Sequence, residues 1–191
     1  MAPQSNINLD VMKKLQDALS AEYIYTEKID FYEKLIFIYN LLCFCVPLIV
    51  LTSLYITKGD ENLEPLLNTV STIASVGLLI FMGVIYLASI PDKKEKFIVS
   101  RRINRRTQKD CQDNLEKTNE ELSFFFKHIN DIDDDDLDKL GKLKKSTKQA
   151  SYRYALENLG YDAKCPKCQK SPDAYSRFFV GSSCKQCGIK K

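Results

Sequence analysis

Two stretches of the chain, Leu35 to Thr57 and Pro65 to Pro91, contain no Asp, Glu, Lys or Arg. A helix rises about 1.5 Å per residue, so each stretch is long enough to cross a ~30 Å hydrocarbon layer. A core helix of a soluble protein normally keeps one wet face, and neither stretch has one. The pattern therefore predicts a two-span membrane hairpin. Before the first span, Met12, Leu15, Leu19 and Tyr23 recur three or four residues apart, with Lys13, Lys14, Asp17 and Glu22 between them. That spacing predicts an amphipathic helix. No Pro or Gly interrupts the chain from Gln4 to Pro47, so this helix can run directly into the first span. Pro47 inside a span is tolerated there as a bend.

After the second span, Pro91-Asp92 marks a kink or a helix start. The segment from Asp92 to about Asn130 lacks both breakers, which predicts one continuous helix of roughly 58 Å. Its apolar residues, Phe97, Ile98, Ile103, Leu115, Leu122 and Phe125, are sparse. Such a helix needs a partner, and the amino-terminal amphipathic helix is the natural one. The acidic run Asp131 to Asp138 lacks the central Gly and distal Glu of a calcium-binding loop. It reads instead as the negatively charged start of a last helix carrying Leu137, Leu140, Tyr154, Leu156 and Leu159, with Gly160 as its C-cap.

The expected architecture is a mainly α membrane protein: a two-helix transmembrane hairpin with long cytoplasmic helices and a small terminal metal module. Its segments are an amphipathic helix over 1–34, the hairpin over 35–91, a helical region over 92–160 and the module over 161–191. Net charge is only +3, but its distribution sets the topology. Lys93, Lys94, Lys96, Arg101, Arg102, Arg105, Arg106 and Lys109 follow the second span, whereas the loop Lys58 to Glu64 holds one Lys against three acids. Basic residues near span ends stay in the cytoplasm. Both termini are thus expected on the cytoplasmic side of the cell inner membrane. The basic segment reads as a topology signal and an anionic-lipid contact, with nucleic-acid binding the less favoured reading.

Site chemistry is concentrated at the carboxy-terminal end. Cys165-Pro-Lys-Cys168 and Cys184-Lys-Gln-Cys187-Gly188 are two CxxC pairs separated by fifteen residues. Two residues between thiolates let a tight turn present both sulfurs to one tetrahedral ion, so Cys165, Cys168, Cys184 and Cys187 are predicted to form a structural zinc ribbon. Structural disulfides are disfavoured in a reducing compartment. A redox CxxC belongs at a helix start in a larger fold. A module of roughly twenty-seven residues buries too little apolar surface to hold itself, so the metal would supply its folding energy. Tyr175, Phe178, Phe179 and Val180 are expected to give it strand and a small core. Cys43, Cys45 and Cys111 read as apolar fillers.

No enzyme pattern is present. His128 is the only histidine, and no nucleophile–base arrangement or phosphate-cradling glycine loop accompanies it. On the second span Asn68, Thr72, Ser75, Leu79, Met82 and Tyr86 share one helical face, with Ser71 and Gly83 nearby. Two roles fit this face: helix packing through small and hydroxyl side chains, or the lining of a pore formed by several hairpins.

The amphipathic helix before Leu35, the hairpin with its short outer loop and the basic helix from Asp92 together resemble the SLATT family, the two-span effectors of bacterial nucleotide-second-messenger and related conflict systems. The likeness covers residues 8 to 160. The cysteine segment beyond it resembles the four-cysteine tails of small proteins encoded by mobile elements. The resemblance implies an antiviral effector that oligomerises and breaches the inner membrane when a cytoplasmic sensor or nucleotide-signalling partner calls on it. A membrane-anchored scaffold whose ribbon, with Lys164, Lys167, Lys170, Arg177, Lys185, Lys190 and Lys191, binds a protein or nucleic acid is the competing expectation.

Overall fold

The computed structural model describes residues 8–56, 63–118, 120–159, 163–175 and 183–189. In chain order it contains α1 (Leu9–Ile56), α2 (Glu64–Leu87), α3 (Ile90–Asp113), α4 (Ser123–Leu140), α5 (Lys145–Leu159) and a short 3-10 turn at Pro172–Ala174. The described residues are mainly helical, with no strand among them. The chain divides into two compact units: Lys28–Lys96, and Met1–Glu27 with Phe97–Lys191.

In the first unit the seam is legible from burial. On α2, Leu67, Ser71, Ala74, Leu78, Phe81 and Ile85 are buried or half-buried, spaced alternately four and three; Tyr39, Cys43, Val46 and Val50 repeat the pattern on α1. Alternation of four and three keeps one stripe facing a neighbouring helix. The Tyr39 and Phe81 rings lie 6.1 Å apart across it. Away from the seam, Phe37, Leu41, Phe44 and Leu48 on α1 and Ile73, Leu79, Ile80 and Val84 on α2 are exposed. Two helices of the structure are long and apolar enough to cross a membrane. Four of their hydroxyls are satisfied locally. Thr52, Thr69, Ser71 and Thr72 donate to the carbonyls of Leu48, Pro65, Leu67 and Asn68 at 2.8, 2.9, 2.7 and 2.8 Å, which removes the desolvation penalty of a bare hydroxyl in an apolar medium. Pro47 lies within α1 without ending it. Just after α2, Ser89 takes a left-handed φ of 49°, and Pro91 then fits the first turn of α3, where its missing N–H has no partner to lose. Lys94 and Glu33 form an ion pair at 3.1 Å.

The second unit is a helical pack. Asn8 caps α1: its Oδ1 accepts from the backbone N–H groups of Asp10 and Val11 at 3.0 and 3.3 Å. The same residue donates to the carbonyls of Leu115 and Lys117 at 2.7 and 2.9 Å, pinning the segment after α3. Val11, Leu15 and Leu19 of α1, Cys111 of α3, Leu122 and Ile129 flanking or within α4, and Ala155 of α5 make one core. The amino-terminal helix is thus the partner that the sparse apolar residues of α3 require.

Two expectations are corrected. The helix predicted over Asp92 to Asn130 is broken, ending at Asp113 and resuming at Ser123. Leu115, Leu122 and Phe125 reach the core by folding back, which a straight helix prevents. Thr118 stabilises the turn by donating through its backbone N–H and hydroxyl to Glu121 Oε2, both at 2.9 Å. Nor do the acids at 131–138 begin a helix: they fill the second half of α4, which stops at Gly141 with φ 59°. A separate helix, α5, begins at Lys145. Gly160, the expected cap, lies outside the described residues.

Candidate metal centre

The four Sγ atoms of Cys165, Cys168, Cys184 and Cys187 lie within 4.8 Å of one another. Two pairs are closer, Cys165–Cys184 at 4.0 Å and Cys168–Cys187 at 3.5 Å. A tetrahedral ion with metal–sulfur bonds of about 2.3 Å needs sulfurs ~3.8 Å apart. The residues fit such an ion. Both pairs are presented by the same turn. In the first, Cys165 N donates to Lys170 O at 3.1 Å and Gln169 N to Cys165 O at 2.8 Å; in the second, Cys184 N donates to Ile189 O at 2.7 Å and Gly188 N to Cys184 O at 3.0 Å. The equivalent fifth positions, Gln169 and Gly188, are both left-handed, with φ of 58° and 74°. Only the second is glycine, and its surroundings explain why. A Cβ there would lie 2.9 Å from Gln149 Oε1 and 3.0 Å from an Arg153 guanidinium nitrogen.

Helix α5 holds the second turn. Gln149 donates to the carbonyls of Cys184 and Lys185 at 3.1 and 3.2 Å, and Arg153 to that of Cys187 at 2.6 Å. The Arg153 guanidinium also covers the Tyr175 ring at 3.6 Å. Leu156 and Ile189 pack with Cys165, Cys184 and Cys187 into a second core. Backbone N–H groups, that of Cys187 first and Gln186 after it, pull the Cys184 thiol down to about 6, whereas burial pushes Cys187 up. The tetrad thus has one sulfur held near its ligating charge state by the turn itself. Of the residues expected to build the module, Tyr175 is exposed and supports the site through Arg153, while Phe178, Phe179 and Val180 lie outside the described residues.

The other predicted residues are dispersed. Asn68, Thr72 and Ser75 are exposed on α2, about 100° round from the seam, while Ser71 and Gly83 are half-buried. Lys93, Lys94 and Lys96 belong to the hairpin unit, and Arg101, Arg102, Arg105 and Arg106 to the other. Arg105 Nε lies 2.5 Å from Glu22 Oε1. His128 is exposed on α4.

Sequence reasoning missed a buried polar layer. Tyr25 donates to Asp136 Oδ1 at 2.6 Å, Asn104 donates to Asp136 Oδ2 at 2.7 Å, and Lys139 reaches Ser100 Oγ at 3.0 Å. Burial raises the Asp136 carboxyl above its ordinary value, against the lowering effect of those donors. Gln149 and Arg153 were missed as well, and Leu156 was expected only as an apolar residue of its helix. Their four-and-three spacing was the available signal, but any helix packed on one side carries it.

No curated protein and no solved structure matches the chain. Residues 10–190 match the family described as Mobilome CxxCx(11)CxxC protein, which agrees with the expected likeness to mobile-element proteins. The family description has eleven residues between its cysteine pairs where this chain has fifteen. With nearly the whole chain matched and the four cysteines converging on one point, the protein belongs to the Mobilome CxxCx(11)CxxC family.

Proposed function

We propose that the protein is a membrane effector of a bacterial conflict system, of the SLATT kind, whose copies associate in the inner membrane and make it permeable. The exposure of Asn68, Thr72 and Ser75 carries this reading. The seam between α1 and α2 leaves them free, so within a bilayer they meet either acyl chains or another copy. A primary amide is a poor neighbour for acyl chains and a good one for a second polar stripe. The lysines after the second span favour cytoplasmic termini. The cysteine tetrad is read as a structural zinc site: zinc suits four thiolates, closes its coordination with them and adds its binding energy to folding.

Purified protein in liposomes is expected to release an entrapped dye, and Asn68→Leu with Ser75→Leu to abolish release without reducing insertion. An inserted oligomer that permeabilises no membrane would overturn the effector reading. A second reading, a tethered binding module, is favoured by the exposed Lys164, Lys167, Lys170 and Lys185 around the tetrad. In that case Cys165→Ser with Cys184→Ser abolishes activity in cells, and the leucine substitutions leave it unchanged.

A further inference from the structure

Helices α3 and α4 carry matched stripes of opposite charge. Arg102, Arg105, Arg106 and Lys109 stand at positions i, i+3, i+4 and i+7 of α3; Asp131, Asp134, Asp135 and Asp138 stand at the same positions of α4, and all eight are exposed. Each set spans about 10 Å on one side of its helix. The stripes cannot meet within one chain. The two helices face each other through their buried sides, where Asn104 Nδ2 lies 2.7 Å from Asp136 Oδ2. Ser100, Asn104 and Thr107 of α3 and Ile129 and Asp136 of α4 are buried, and both stripes lie roughly opposite those residues. Among the described residues no ion pair joins one stripe to the other. Arg105 pairs instead with Glu22 on α1 and Asp135 with Lys139 on its own helix.

We infer that the α3 stripe of one copy docks on the α4 stripe of a second copy. The commitment to a second copy rests on charge complementarity. The basic and acidic sets share both spacing and length, so one register sets Arg102, Arg106 and Lys109 against Asp131, Asp134 and Asp138. The contact is head-to-tail, because it uses different surfaces on the two copies, and each copy keeps one stripe of each sign for further neighbours. Exposed ion pairs contribute little singly. Confinement to a membrane raises the local concentration at which such weak contacts operate. In this respect the inference rests on the membrane reading above and names the surface through which its copies associate.

The test uses the full chain, fused at its amino terminus to a donor or an acceptor fluorescent protein, in phosphatidylcholine vesicles at low salt. Wild type is expected to show energy transfer that 0.5 M salt abolishes. One variant reverses the basic stripe (Arg102→Glu, Arg106→Glu, Lys109→Glu) and the other the acidic stripe (Asp131→Lys, Asp134→Lys, Asp138→Lys). Arg105 and Asp135 are left in place because they hold partners within the chain. Each variant alone should associate roughly tenfold more weakly, and a mixture of the two should recover transfer, since each then offers the sign the other needs. Circular dichroism of each variant checks that helicity is retained. Salt-insensitive transfer, or two variants that each lose association and do not restore it on mixing, overturns the inference. So does loss confined to the basic-stripe variant, which would assign that stripe to a lipid headgroup or a nucleic acid. Vesicle flotation reads membrane insertion separately, so failure to insert is distinguishable from failure to associate.

Discussion

Gly188 meets two demands at once, a left-handed backbone and a side chain small enough for Gln149 and Arg153 to close over it. Gly188→Ala is therefore expected to destabilise the module by about 1–2 kcal/mol and to weaken metal retention in a chelator competition. Asp136 gives a second prediction at this scale. Its folded-state value lies above the ordinary 3.8 because burial disfavours the charge. Between these two values the folded state binds more protons than the unfolded state, so this group's contribution falls as pH rises through that window and is lowest above it. Asp136→Asn removes the titration. Thermal melts of the variant from pH 4 to 7 should decline less with rising pH than those of wild type; an identical slope would remove the role assigned to this carboxyl. Nothing in the run Asp133 to Asp136 marks the last acid as the buried one, because selection of a single carboxylate depends on Tyr25 and Asn104, far away in the chain.

At the scale of elements, what periodicity controls was legible and what turns control was not. The uncharged stretches become α1 and α2 because an apolar face with no alternative must be buried or lie in lipid. The cysteine tetrad was equally plain, since two CxxC turns specify their own geometry. The break at 114–122 contains neither Pro nor Gly. It arises from a cap supplied by Asn8 and from core formation, both long-range effects. The metal module and the helical pack have separate cores. Cys165→Ser with Cys184→Ser, or removal of a bound ion by a chelator, should accordingly abolish metal binding and expose residues 163–175 and 183–189 to protease, with far-UV helicity falling by less than about a tenth. Collapse of α1–α5 under the same treatment would show that the two cores are not independent.

For the whole molecule, the decisive quantity is where the exposed apolar surface of the hairpin resides. The two apolar helices hold the hydroxyls of Thr52, Thr69, Ser71 and Thr72 on their own carbonyls and present Leu, Ile, Val and Phe outward. The chain should float with vesicles and require detergent for extraction; recovery in the aqueous phase would end the membrane reading. A different consequence follows from how α5 grips the cysteine module. Among the described residues, the carbonyls it grips are those of residues 184, 185 and 187, so a bound ion would be the main tie between the CPKC turn and the second turn. Stripping the ion should therefore unfasten one half of the clasp before the other: amide deuteration at Gln169 would accelerate while that at Gly188 lags.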